Sequence, residues 1–194
     1  WDLLIKEGHK IGYSTVKKEV RRWKSQYSPR EVYILQEPCI GQRAEFDWGE
    51  VNLAIGGIWS KYFLAVFVLP FSLYRFARVF SREGRQEVIQ AHLAFFQEIQ
   101  GVPETIVYDR MAVVYDSVHH RIQERFLEFS LHFGFTPSVC NPASPHEEGT
   151  DEESVGYIRR NTFSEKTSFA SLYEANLWLQ ESLHEMNLHP VYRR

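Results

Sequence analysis

The sequence predicts an α/β protein built on one five-stranded mixed sheet. Three strand-like segments follow one another after residue 43, and a short turn separates each from the next. From about residue 82 onward, helical periods alternate with short strands, which is the order that parallel strands joined by helical crossovers require. The length of 194 residues, with 44% hydrophobic and 24% charged, suits one folded core of ordinary size and a short appendage.

The composition excludes several classes of protein. The longest apolar run, Tyr62 to Phe71, is too short to cross a bilayer and fits a buried strand, so we expect no membrane partner. Cys39 and Cys140 have no Cys or His at metal-ligand spacing, which argues against disulfides and a zinc site and indicates a reducing compartment. Because the chain begins at Trp1 and has no charged segment ahead of an apolar one, we expect a piece of a longer protein without a secretion signal.

The first 30 residues are basic. They hold 8 Lys or Arg against 3 Asp or Glu, whereas the rest of the chain holds 14 against 22. A helix is predicted from about residue 15 to residue 25, with Ser14 as its N-cap and an apolar face of Val16, Val20 and Trp23. Its other faces carry Lys17, Lys18, Arg21 and Arg22. Prolines in the segment from Ser25 to Pro38 predict a linker, so we assign residues 1–38 to a basic helix and linker that contact a polyanion first.

The sheet begins with three predicted antiparallel strands. They are Ala44 to Ile55, Lys61 to Leu69 and Tyr74 to Phe80. The turns between them contain Gly56-Gly57 and Pro70-Phe71-Ser72, and both are short enough for hairpins. This part of the chain therefore forms a meander before the first helix.

Helices and short strands alternate along the remainder. The predicted elements are a helix from Arg82 to Gln100, a strand from Thr105 to Tyr108, a helix from Ile122 to Phe133, a strand from Thr136 to Cys140 and a helix from Gly149 to Asn161. A last helix follows Ser171 and Glu174, which form a capping box. We expect this helix, within residues 166–194, to pack on the sheet or to follow it.

Asp47 is the first candidate functional residue. The period of two places Phe46 and Trp48 on one face of the first strand and Asp47 on the other. A carboxylate in the middle of a strand is costly unless a cation or several donors compensate for its charge. The alternative is an aspartate that faces water on an edge strand.

Two further carboxylates stand at the ends of elements. Asp109 directly follows the strand Thr105 to Tyr108, at the end where open α/β sheets bind ligands, although an Asp there is also a common turn former. Glu152 belongs to a run of five carboxylates between Glu147 and Glu153 at the start of a helix. The plainer interpretation of that run is a solvated acidic cap.

Together these carboxylates suggest a metal site. Asp47, Asp109 and Glu152 can converge at one end of the sheet. Three carboxylates without Cys or paired His suit Mg²⁺ or Mn²⁺, which act in pairs on an attacking and a leaving oxygen at phosphorus. The pattern therefore predicts a nuclease or a polynucleotidyl transferase.

The motifs also resemble those of a known family. The landmarks are Glu45-Phe46-Asp47-Trp48-Gly49, Val107-Tyr108-Asp109, Cys140-Asn141-Pro142 and the stretch from Gly149 to Asn161 that contains Glu152. Asp47 and Asp109 are 62 positions apart, and Asp109 and Glu152 are 43 apart. In this order the motifs resemble the catalytic cores of DDE transposases and retroviral integrases, and most closely the IstA-type insertion-sequence transposases.

The resemblance implies a fold, a site and a reaction. It implies an RNase H-like catalytic core over residues 39–165, with Asp47, Asp109 and Glu152 as catalytic ligands of two Mg²⁺ or Mn²⁺ ions. It implies cleavage of DNA at element ends and joining of the 3′-hydroxyl to target DNA. It further implies a homo-oligomeric active assembly, a helper ATPase and a cytoplasmic, bacterial, nucleoid-associated location. A hydrolytic nuclease of the same fold and a catalytically decayed DNA-binding protein stay open as alternatives.

The chain departs from the family pattern at several positions. Arg110 stands where Asn commonly follows the second Asp, and Thr150-Asp151 stands where a small residue or Lys-Val often precedes the Glu. His146 takes the place of a common aromatic residue. The Gly-x-x-Glu spacing selects Glu152 among its acidic neighbours.

DNA contact is expected from basic residues at two places. The basic helix resembles the recognition helix of a helix-turn-helix, and a basic linker helix is the alternative. Either form suits phosphate contact. The residues expected to bind DNA are Lys17, Lys18, Arg21, Arg22, Arg159 and Arg160.

Overall fold

The chain divides into two compact units, with the boundary between Gln36 and Glu37. The computed structural model describes residues 1–27, 39–140 and 151–188, and within these ranges it leaves out the side chains of residues 2, 3, 24–27 and 151–153. Most of the predicted linker, the proline-containing turn after Cys140 and the acidic residues up to Thr150 lie outside the described residues.

The first unit contains two helices, α1 (Asp2–Lys6) and α2 (Tyr13–Tyr27). The Trp1 indole N–H donates to the Ile11 carbonyl oxygen (2.9 Å), and its ring meets the Tyr13 ring edge to face at 6.1 Å. The helix α2 is the predicted basic helix, longer by about a turn. The short helix α1 was not predicted, because five residues are too few to show a helical period.

In the part of the second unit that the structure describes, there are the sheet and four helices. In chain order the elements are β1 (Arg43–Ile55), β2 (Ile58–Leu69), β3 (Tyr74–Phe80), α3 (Arg85–Ile99), β4 (Thr105–Tyr108), β5 (Tyr115–Asp116), β6 (Arg121–Ile122), α4 (Glu124–Phe133), β7 (Thr136–Val139), α5 (Asp151–Thr162), β8 (Ser168–Phe169) and α6 (Leu172–Leu188). The bounds predicted for the five long strands and the helices differ from these by at most three residues. No helix of the described residues is long and apolar enough to span a bilayer.

The strand order of the main sheet is β3-β2-β1-β4-β7. The strands β1, β2 and β3 pair antiparallel, and β4 and β7 extend the sheet in parallel on the other side of β1. This confirms the predicted mixed sheet. Three two-residue strands were not predicted: β8 pairs in parallel with β1 at its far end, and β5 and β6 form a separate hairpin between β4 and α4.

Different side chains cover the two faces of the sheet. The first face, covered by α3 and α4, carries an aromatic layer in which the Phe46 and Phe67 ring centroids are 4.7 Å apart and Phe67 stacks on Phe95 at 4.2 Å. The second face, covered by α5 and α6, is mainly aliphatic and includes Leu53 and Ile158. Strand β1 contributes to both layers by the predicted alternation.

Two asparagines of α6 cover the backbone of the edge strand β3. Asn176 accepts the Val79 N–H (2.8 Å) and donates to the Val79 carbonyl oxygen (3.0 Å). Asn187 makes the same pair of hydrogen bonds with Arg75, at 2.9 and 2.8 Å. An exposed strand edge is a template for pairing with other chains, so these amides satisfy groups that would otherwise promote aggregation.

Candidate active site

Asp47 and Asp109 lie side by side on neighbouring strands. In the parallel pair of β1 and β4, Phe46 is opposite Tyr108. Asp47 and Asp109 each follow one residue later, at the point where β4 ends, and residues at equivalent positions of parallel strands share a face. Strand β1 is central, paired with β2 and β4, so the alternative that Asp47 belongs to an edge strand is wrong.

Both carboxylates line one surface cleft of about 300 Å³. Asp47 is half-buried there and Asp109 is exposed. The described lining residues are Asp47, Trp48, Gly49, Glu50, Phe63, Glu83, Asp109, Arg110 and Met111. The structure therefore brings two of the three predicted ligands into one site at the end of the central strands.

A tight turn holds Asp109 at the cleft. Its Oδ1 accepts the Arg110 backbone N–H (2.6 Å), and its carbonyl oxygen accepts the Met111 N–H (2.7 Å). Asp109 is thus a turn former as well as a cleft residue, and the two interpretations of the sequence are compatible. The turn orients the carboxylate because one of its oxygens is tied to the backbone that follows.

The start of α5 lies next to this end of β1. Gly49 packs so closely on α5 that an added Cβ would collide with Cγ1 of Val155. The chain after α5 returns to the far end of β1 as β8, paired at Ala54, so α5 runs along β1 in the same direction. Glu152, three residues before Val155, therefore lies toward the Asp47 end of the strand. The Glu152 side chain is outside the described part of the structure.

The cleft is rich in carboxylates. Besides the two aspartates it contains Glu83 and Glu50, and Glu50 pairs with Lys61 at 2.8 Å. Among the described side chains, no three His, Cys, Asp or Glu groups form a cluster that could hold a metal ion. Asp47 and Asp109 both carry carboxylate oxygens, the type of donor that hard divalent cations prefer.

A buried polar pair supports the strand that ends in Asp109. His92 Nδ1–H on α3 donates to the Val88 carbonyl oxygen (2.7 Å), and Nε2 therefore accepts the Tyr108 O–H (2.7 Å). Complete burial lowers the pKa of His92 to about 4, an effect that the bond to Val88 partly offsets. Burial also raises the pKa of the Tyr108 hydroxyl. Sequence reasoning missed this pair, although His92 falls on the same helix face as Val88 and Phe95, and a lone polar ring on an apolar face is a signal that could have found it.

The predicted DNA-binding residues lie on two helices. On α2 the four basic side chains Lys17, Lys18, Arg21 and Arg22 are exposed. On α5, Arg159 donates to the carbonyl oxygen of Glu50 at 3.2 Å, which places it beside the cleft. Arg160 is also exposed, and its Nη1 lies next to Gly156.

Fold and cleft together define an integrase-like α/β core with adjacent carboxylates at the end of its central strands. Residues 38–145 match the family model described as Integrase core domain. This range is more than half of the chain, and the chain belongs to that family.

Curated relatives of the chain are transposases. It is 30% identical over 167 residues to "Transposase for insertion sequences IS1326/IS1353" of Pseudomonas aeruginosa, covering 84% of this chain and 33% of the relative. It is 28% identical over 192 residues to a "Transposase" of Aminobacter aminovorans, covering 94% of this chain and 38% of the relative. The chain thus spans about a third of the length of these relatives.

Solved structures with a similar fold are retroviral integrases. The HTLV-2 integrase catalytic core domain in complex with magnesium (dimeric form) has a TM-score of 0.59 and 18% identity, covering 78% of this chain and 90% of that chain. The simian T-cell lymphotropic virus intasome in complex with the PP2A regulatory subunit B56 gamma has a TM-score of 0.64 and 18% identity, covering 86% and 55%. These similarities confirm the predicted RNase H-like fold.

Proposed function

We propose that this chain is the catalytic core of a DNA transposase that cleaves a strand at the element end and joins the 3′-hydroxyl to target DNA. The observation that carries the proposal is the pairing of Asp47 and Asp109 in one cleft at the end of the central strands. Membership of the integrase core family and the transposase relatives support it.

The cleft suits a divalent metal. Asp47 and Asp109 offer hard oxygen ligands, and the direction of α5 along β1 supports Glu152 as the third. We assign Asp47, Asp109 and Glu152 as the catalytic, metal-binding residues for Mg²⁺ or Mn²⁺. Two such ions, when bound, would activate an attacking oxygen as Lewis acids and stabilise a leaving one. One similar structure, the HTLV-2 integrase core, is described as a complex with magnesium.

The protein residues position the reacting groups. Asp47 is held on the central strand β1 by its pairing with β2, and Asp109 is held by its turn, so both carboxylates are anchored at the cleft. Water is the nucleophile in cleavage, and the 3′-hydroxyl is the nucleophile in joining. Phosphate contacts from Lys17, Lys18, Arg21, Arg22, Arg159 and Arg160 hold the DNA.

For the whole protein we propose the partners that this reaction requires. These are the DNA of the element ends and of the target, further copies of the protein, and a helper ATPase. The HTLV-2 integrase core is described in dimeric and trimeric forms, which supports assembly of several copies here. The proposed location is the bacterial cytoplasm, in association with the nucleoid.

The metal site is tested first without any reaction. Mn²⁺ should raise the melting temperature of the chain, because a ligand that binds only the folded state stabilises it. The isosteric variants Asp47→Asn and Asp109→Asn should abolish this shift. Glu128→Gln, an exposed carboxylate on α4, makes the same change of charge outside the cleft and should leave the shift unchanged.

The reaction is tested on a branched DNA that represents the joined product. Reversal of joining on this substrate releases the element strand and reseals the target strand, and it needs no assembly of two ends. We expect resealing with Mg²⁺ or Mn²⁺ and none in Asp47→Asn or Asp109→Asn. Cleavage without resealing would favour the hydrolytic nuclease. The absence of both the metal stabilisation and the reaction would favour the catalytically decayed DNA-binding protein.

A further inference from the structure

Arg110 provides a positive charge in a cleft that is otherwise acidic. It directly follows Asp109 and is exposed. Among the lining residues that the structure describes, Arg110 is the only one with a basic side chain, whereas four carry carboxylates. A phosphodiester that enters this cleft meets repulsion from the carboxylates, which a guanidinium can offset.

Among the side chains that the structure describes, no carboxylate forms an ion pair with Arg110. Its contact with Asp109 is made by the backbone N–H, and its guanidinium carbon lies over the Tyr115 ring, 5.6 Å from the centroid. A guanidinium that lies over an aromatic ring still has its N–H donors available to bind a ligand.

The hairpin formed by β5 and β6 holds the Tyr115 ring in place. The Tyr115 backbone N–H donates to the Met111 carbonyl oxygen (2.9 Å), and the Tyr115 hydroxyl is hydrogen-bonded to His120 Nδ1 (3.3 Å). The Asp116 carboxylate closes the hairpin turn by accepting the backbone N–H groups of Val118 and His119, at 3.0 and 3.2 Å. These bonds fix the hairpin, and the Tyr115 ring offers the Arg110 guanidinium a surface to lie over.

We propose that Arg110 binds a phosphodiester group of the DNA strand in the cleft, with Tyr115 as its positioning residue. The guanidinium fork matches two non-bridging phosphate oxygens, and such charge-assisted pairs are among the stronger hydrogen bonds in proteins. This inference rests on the proposed function, because it assumes that DNA enters this cleft. It adds a phosphate contact that needs no metal.

The test uses the Asp47→Asn/Asp109→Asn double variant, in which DNA can enter the cleft without a metal ion. Binding of the branched DNA is measured by fluorescence anisotropy in EDTA at several salt concentrations. Adding Arg110→Gln should weaken binding about tenfold and reduce the log–log salt slope by about 0.9, the loss of one phosphate contact. Adding Arg125→Gln, which removes an exposed arginine of α4 outside the cleft lining, should change neither quantity.

Further variants separate the charge from its position. Arg110→Lys should keep the salt slope and lose affinity, because lysine retains the charge without the fork. Tyr115→Leu should weaken binding, whereas Tyr115→Phe should retain most of it because the ring remains. A methylphosphonate, which removes the charge of the phosphodiester to be attacked, should weaken DNA binding by the Asp47→Asn/Asp109→Asn double variant. It should have little effect on the same protein that also carries Arg110→Gln.

The inference is overturned if Arg110→Gln behaves like Arg125→Gln in both affinity and slope, or if the methylphosphonate weakens both proteins equally. The Mn²⁺ shift of the otherwise wild-type Arg110→Gln chain is measured in parallel. If the Arg110→Gln chain keeps the Mn²⁺ shift of its melting temperature and Arg110→Gln leaves DNA binding unchanged, only the role of Arg110 is refuted. A wild-type chain that shows no Mn²⁺ shift refutes the metal site instead.

Discussion

The buried pair of His92 and Tyr108 makes the stability of the chain depend on pH. The pKa of His92 is lowered from its ordinary 6.5 to about 4 in the folded state. The folded chain therefore resists a proton that the unfolded chain accepts below pH 6.5. The contribution of neutral His92 to the free energy of unfolding is therefore complete above pH 6.5 and is lost as the pH falls toward 4.

The magnitude follows from the shift. A difference of about 2.5 pKa units corresponds to a total loss of about 3 kcal/mol, which is complete only below pH 4, where the folded chain is protonated too. About 2 kcal/mol of it is lost at pH 5. Urea unfolding at pH 8 and pH 5 measures this loss. The double variant His92→Phe/Tyr108→Phe provides the control, since it replaces both hydrogen-bonding partners with apolar rings and removes the titrating group.

The same variants test the hydrogen bond. Each single substitution leaves one buried polar group unpaired and should cost about 1 to 3 kcal/mol. The double substitution should cost less than the sum of the two, because it removes both partners of the hydrogen bond together, and the Val88 carbonyl oxygen keeps its hydrogen bond within α3. The reasoning is refuted if the wild type and the double variant lose the same stability between pH 8 and pH 5.

Three further predictions concern the edge strand, the contact of α5 with β1, and the basic helix. Asn176→Ala should lower the free energy of unfolding in urea by about 1 to 3 kcal/mol, because it leaves the Val79 N–H and carbonyl oxygen without their hydrogen bonds to the amide. The control Gln180→Ala, on the exposed side of α6, should cost under about 0.5 kcal/mol. Gly49→Ala should lower the free energy of unfolding by about 1 to 3 kcal/mol, because the added methyl group collides with Val155. If Gly49→Ala costs the same in a Val155→Ala background as in the wild type, the collision is not the cause. Deletion of residues 1–30 should weaken non-specific DNA binding and lower its salt slope; unchanged values would show that α2 does not contact DNA.

Local pattern was sufficient to predict the long elements of the sheet. The alternation of Phe46, Asp47 and Trp48 was correct because a strand's period of two is a property of consecutive residues. The same reasoning could not find β8 or the hairpin of β5 and β6, since two residues show no period and β8 exists only where β1 offers it hydrogen bonds. Trp48 shares the face of Phe46, as the alternation predicts, but it is only partly buried because it lines the cleft.

The sequence by itself determined which residues could carry the chemistry. It placed Asp47 within a strand, Asp109 after a strand and Glu152 at the start of a helix, and the role of Glu152 stays a prediction. Only the tertiary structure decided that Asp47 and Asp109 are neighbours, since this depends on the register that sets Phe46 opposite Tyr108. It likewise decided that Arg110 lies over Tyr115. Periodicity is encoded between adjacent residues, whereas register between strands 62 positions apart is chosen by packing on both faces of the sheet.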